Sequence, residues 1–234
     1  VGAVQEGPVV VSLGTSGTGF AYRTAPAVDP QGEAAAFCDS TGGWLPLVCT
    51  LNCTVATDWA RHLLGLDPEA FERALVESEP GAGGLAFLPH LGGERTPNCP
   101  AGAGAFAGLR PTHGPAEIIR AVAEGVTFGL RYALGALERA GVRATQITLV
   151  GGGAASDAWA QLCADVFELP VRRSAAPEAA ARGAARQARW VVDGTAATED
   201  EEDAGRWEPA RHPGLVEAAA RAYELRRLAI QGVL

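Results

Sequence analysis

The chain has 234 residues, 47% hydrophobic and 20% charged, with a net charge of −8. That is enough to bury a core without disulfide or metal staples, and the acidic balance, with every basic residue an Arg, disfavours nucleic acid as a partner. A single nucleotide remains open as a ligand, because backbone N–H groups hold phosphates without a basic patch.

Val9 to Leu13 followed by Gly14–Gly17 and Thr18–Tyr22 reads as strand, glycine turn, strand. Thr24–Ala36 reads as loop, and Phe37–Cys38 as a short strand. From Trp44 to Leu66 the recurrence of Leu51, Val55, Trp59, His62 and Leu63 predicts one helix. A second short helix is expected from Pro68 to Val76, then a hinge at Gly81, Gly83 and Gly84, and a strand at Leu85–Pro89. Pro115–Ala140 is the clearest helix, with Gly141 where a C-terminal cap belongs. Ile147–Val150 reads as a buried strand. Ser156 then caps a helix, Val171 lies in a strand, and a helix runs from Pro177 to about Val192. Glu199–Asp203 is expected to be an acidic linker and Leu215–Ile230 a terminal helix. The alternation predicts an α/β fold.

No run is apolar and long enough to span a membrane, and no signal peptide opens the chain. Five cysteines at irregular spacing show no paired zinc pattern, so no metal site and a reduced, cytoplasmic protein are expected. The absence of Met leads to the expectation that the sequence is a piece of a longer protein.

Three segments carry chemistry. Ser12-Leu13-Gly14-Thr15-Ser16-Gly17 is a small-residue turn whose backbone can approach a phosphate, although taken alone a plain hairpin turn is the simpler account. Leu149-Val150-Gly151-Gly152-Gly153-Ala154-Ala155-Ser156-Asp157 is strand, triple glycine, helix start, with more glycine than a turn needs and without the dinucleotide spacing. Gly93-Glu94-Arg95-Thr96-Pro97, with His90 just before it, is a rigid loop in which Glu94 and Arg95 orient a ligand or form a structural salt bridge.

Together these segments resemble the FGGY family of carbohydrate kinases, and within it the xylulokinases, from about residue 3 to the C-terminus. The resemblance implies a ribonuclease-H-like ATPase domain of the actin and hexokinase superfamily, the C-terminal half of a two-domain sugar kinase. Residues 1–194 would be the nucleotide-binding domain, and residues 195–234 an acidic linker plus a helix packing on that domain. It implies ATP and Mg2+ as cofactors, with Gly14 and Thr15 at the phosphates, Gly152 and Gly153 at adenosine and phosphate, and Asp157 at a small polar contact. Thr54 and Asp58 fall where related kinases have further nucleotide contacts but depart from the usual Gly and Gln, and for Asp58 an exposed helix position is the simpler reading. The family's general-base Asp is expected upstream of Val1, so no catalytic residue is assigned here, and the chain alone is expected to be inactive. The implied substrate is D-xylulose, with ribulose, gluconate, fucose or glycerol, or a non-kinase actin-like module, as alternatives. ATP or ADP, a sugar and a homodimer partner are the partners the resemblance admits.

Overall fold

The computed structural model describes residues 4–175, 178–194 and 203–233. Nine strands and six helices are described: β1 (Pro8–Leu13), β2 (Gly17–Ala21), β3 (Ala35–Cys38), β4 (Trp44–Thr50), α1 (Thr54–Leu63), α2 (Pro68–Glu77), β5 (Ala86–Leu88), β6 (Ala105–Ala107), α3 (Pro115–Arg139), β7 (Gln146–Val150), α4 (Asp157–Phe167), β8 (Val171–Ser174), α5 (Ala179–Asp193), β9 (Asp203–Trp207) and α6 (Pro213–Ile230). Seven strands form one mixed sheet in the order β3-β4-β2-β1-β7-β8-β9, and β5 and β6 pair separately.

The apolar β1 sits centrally. It runs antiparallel to β2 through the glycine turn and parallel to β7, with Val11 opposite Leu149. β7 in turn runs parallel to β8 through the α4 crossover, so the two glycine-rich turns leave neighbouring strands at the same sheet edge. Such an edge, at the carboxyl ends of parallel strands, is where open α/β sheets place ligands.

α3 supplies the core face with Val122, Val126, Leu130 and Leu137, all buried, as its four-residue repeat dictates. Its first turn is closed by Glu117, whose Oε2 accepts the Gly114 N–H at 2.8 Å. Gly125 has no room for a side chain, because a β-carbon there would run into the Phe87 carbonyl.

Four expectations need correction. Trp44–Thr50 is a strand, not the start of a helix: its burial alternates, and the β-branched Val48 and Thr50 suit the pleat, while Pro46 would interrupt a helix. The helix begins only at Thr54, and Val55, Trp59 and Leu63 lie on its exposed side, while Ala56, Thr57 and Ala60 face inward. The glycines at 81–84 are a packed corner rather than a hinge: the Gly81 N–H donates to Glu124 at 2.8 Å, and a β-carbon on Gly81 would lie 2.6 Å from the Gly214 carbonyl. Asp203, expected in a linker, begins β9, which pairs antiparallel with β8 and extends the main sheet; residues 199–202 lie outside the described residues, as does Pro177. β6 was not expected at all, its three residues being too short a run to signal a strand.

α6 packs on β5, α3 and the Gly81 corner. Glu124 is buried beneath that corner, where desolvation raises its pKa, and it bonds Arg120 at 2.8 Å. Arg120 also donates to the Leu75 carbonyl at 2.8 Å, tying α2 to α3.

Candidate functional site

The hairpin turn is joined to α1 through the backbone. Gly14 O accepts the Thr54 N–H at 2.9 Å, and Thr15 O accepts those of Cys53 at 3.1 Å and Val55 at 3.4 Å. The opening amides of α1, which a helix leaves without internal partners, are therefore satisfied by the turn. The Thr15 and Ser16 amides donate to no backbone carbonyl among the described residues, so the turn rather than the helix supplies the free donors.

The second junction packs directly against the first. After Val150 the backbone enters Gly151 at φ +88°, where a β-carbon would lie 2.8 Å from the Leu13 carbonyl. A short 3₁₀ turn, Gly152–Ala155, follows, and Ser156 caps α4 by accepting the Trp159 N–H at 3.0 Å. Gly152 is different from its neighbours: a β-carbon there meets nothing within 4 Å.

Between the two junctions lies a cavity of about 790 Å³, inside the range of small-molecule and cofactor sites. Gly14, Thr15, Thr54, Asp58, Gly152, Gly153 and Asp157 all line it. The seven residues named from the sequence come from three separate segments, and the fold brings every one of them to this cavity. Asp58 is half-exposed there and bonds Arg61 at 3.3 Å.

The far wall is α2, to which the sequence reading gave no role. Phe71 meets Trp159 edge-on, ring centroids 6.0 Å apart, and the Trp159 indole N–H donates to Thr127 at 3.0 Å. Glu72 accepts the Ser156 hydroxyl and, at 2.8 Å, the Ala158 N–H. The N-terminus of α4, a natural anion site, is thus already neutralised by a carboxylate. With Asp58, Glu69 and Asp157 the wall is acidic, and Arg61 is turned to Asp58 and to the Leu66 carbonyl at 3.0 Å. Carboxylates repel phosphate and accept hydrogen bonds from hydroxyl and amino groups, so this wall suits the nucleoside part of a ligand rather than its phosphates. Glu72 leaves no local sequence signal because its partners lie 84 and 86 residues away.

The Gly93–Pro97 loop contains no Glu94–Arg95 ion pair. Glu94 is 4% exposed and accepts the N–H groups of Leu51 and Arg95 and, at 3.0 Å, the Asn52 side chain. It therefore fixes the connection that leads from β4 into α1. His90 is buried away from the cavity, and burial, reinforced by the charge of Arg226, lowers its pKa to about 4. It is a neutral packed histidine.

Residues 9–191 match the model of the FGGY family of carbohydrate kinases, C-terminal domain. The chain belongs to that family. As an FGGY domain it is 41% identical over 233 residues to a xylulose kinase of Streptomyces rubiginosus, covering 99% of this chain and 46% of that protein. It is 40% identical over 191 residues to a xylulose kinase of Haemophilus influenzae, covering 81% of this chain and 39% of that one. The chain thus spans less than half the length of either relative. Among solved structures, the xylulose kinase from Bifidobacterium adolescentis superposes with a TM-score of 0.83 at 34% identity, over 94% of this chain and 45% of that one. The mixed sheet with its helices is the FGGY C-terminal fold, as the sequence resemblance implied.

Proposed function

We propose that this FGGY domain is the nucleotide-holding half of an ATP-dependent kinase that converts D-xylulose to D-xylulose 5-phosphate. The observation that carries the reading is the convergence of Gly14, Thr15, Thr54, Asp58, Gly152, Gly153 and Asp157 on one cavity of about 790 Å³. The substrate is inferred from the xylulose kinases it resembles over most of its length.

In this reading the backbone of Gly14 and Thr15 and the bare backbone at Gly152 hold the phosphates. The acidic wall of Asp58, Glu69, Glu72 and Asp157 receives the ribose and base, and Phe71 and Trp159 supply its apolar floor. ATP brings the phosphoryl group that is transferred. Mg2+ would accompany the ATP phosphates, and no residue of this chain is assigned to it. The chain's contribution is positioning, the larger share of what phosphoryl transfer requires of a protein. The general base and most sugar contacts are assigned to the part of the relatives that this chain does not match, so the chain alone should turn over no sugar. All five cysteines are free thiols, which supports a reducing, cytoplasmic setting.

The test is a chimera in which this chain replaces the matching stretch of the Streptomyces rubiginosus xylulose kinase, assayed by coupled ADP release. D-xylulose-dependent turnover by the chimera, and none by the chain alone, is expected. A folded chimera without D-xylulose-dependent turnover would overturn the reading of this chain as the nucleotide-holding half of such a kinase. Sugar-dependent turnover by the chain alone would place a base within these residues.

A further inference from the structure

Arg173, at the end of β8, reaches across to the glycine turn. Its Nη1 donates to the carbonyls of Ala154 at 3.1 Å and Ala155 at 3.2 Å and to Asp157 Oδ1 at 2.8 Å. Its Nη2 donates to the Ala204 carbonyl at 3.3 Å. The guanidinium lies 5.1 Å from the Trp207 ring centroid, a distance suited to a cation–π contact. Gly205, paired opposite Arg173, makes room for that ring: a β-carbon there would collide with it. One planar fork therefore gathers the two carbonyls that end the 3₁₀ turn and the first side chain of α4, and β9 holds it from behind. Lys, a point charge on a flexible stem, could not reproduce the arrangement.

Asp157 is otherwise poorly restrained. Its side chain is 68% exposed at the cavity mouth, and without a partner it would sample several rotamers in water. The ion pair's worth to stability is small at such exposure, yet it fixes where the second carboxylate oxygen points.

We propose that Arg173 is a positioning residue of the nucleotide cavity: it holds the exit of the glycine turn and orients Asp157 so that its remaining oxygen accepts a hydrogen bond from the nucleoside, either a ribose hydroxyl or the amino group of the base. The inference rests on the nucleotide reading above. It assigns a role in the site to β9, through Ala204 and Trp207.

The test is calorimetric titration of the purified chain with ATP, inosine triphosphate (no base amino group at that position) and 2′-deoxy-ATP, for wild type, Arg173→Ala, Arg173→Lys, Asp157→Ala and the Arg173→Ala/Asp157→Ala double variant. Wild type should prefer ATP over the analogue lacking the donor that Asp157 holds. Arg173→Ala should bind ATP about tenfold more weakly and lose that preference, and the double variant should be no weaker than the worse single one, since both act on one contact. Arg173→Lys should behave like Arg173→Ala, and it decides the matter if the alanine variant does not fold. A folded Arg173 variant with wild-type ATP affinity and an unchanged preference would overturn the inference. So would additive losses in the double variant. Absence of ATP binding by the folded wild-type chain would remove the nucleotide reading itself, a result distinct from either.

Discussion

A β-carbon built on Gly153 would lie 2.9 Å from the Trp159 ring and equally close to the Leu13 β-carbon, whereas one built on Gly152 meets nothing within 4 Å. Two adjacent glycines in one motif thus do different work. Gly153 lets α4 and β1 close on each other, and Gly152 leaves backbone bare at the cavity. Gly153→Ala should destabilise the fold by about 1–3 kcal/mol through overpacking. Gly152→Val should cost less than about 1 kcal/mol while weakening nucleotide binding. Denaturant midpoints and nucleotide titrations on the same preparations separate the two; equal stability losses would contradict the division.

The buried Glu94 should matter far more than its exposed neighbour. Glu94→Ala leaves the Leu51 and Arg95 N–H groups and the Asn52 amide without their acceptor, a loss of about 3 kcal/mol. Because those groups lead into α1, the variant should also weaken nucleotide binding. Arg95→Ala should change stability by less than about 0.5 kcal/mol. Similar unfolding midpoints for the two variants would show that Glu94 is not the element that fixes the loop.

His90 sets an acid limit on stability. Its folded pKa, about 4, lies below the usual value of 6.5, so the unfolded chain binds the proton more readily. The stabilisation is complete above about pH 6.5 and is lost progressively as pH falls toward 4, on the order of 3 kcal/mol across that window. Unfolding free energies measured from pH 7 to pH 4 should show the slope, and His90→Gln should flatten it. A slope unchanged in the variant would assign acid lability to other groups.

The glycine junctions were legible in the sequence because their chemistry is local: an apolar run that ends abruptly in glycine marks a turn that side chains would obstruct, and at the second junction Ser156 marks the helix start that follows. Convergence of Gly14, Thr54 and Gly152 on one cavity was not readable from any one segment, and entered only through resemblance to a family. Trp44–Thr50 was misread because Leu51, Val55, Trp59 and Leu63 do recur at helical spacing, yet Leu51 precedes α1 and the other three lie on its exposed side, Trp59 also stacking on Phe87 at 6.0 Å. β9 was invisible because Asp-Ala-Gly-Arg-Trp has little strand propensity of its own and pairs only because β8 offers it a ladder. Glu72 and Arg173 reach the site across the fold, with polar side chains that look like ordinary surface residues in the sequence.

The central claim, that this chain holds a nucleotide between its two glycine junctions, is tested most directly by calorimetric titration of the purified chain with ADP and Mg2+ up to millimolar concentration. Saturable, weak binding is predicted, since the chain spans less than half the length of the relatives it matches, and Gly152→Val should weaken it further without unfolding the protein. A folded wild-type chain that binds no nucleotide at those concentrations, or a Gly152→Val variant that binds as well as wild type, would contradict the account.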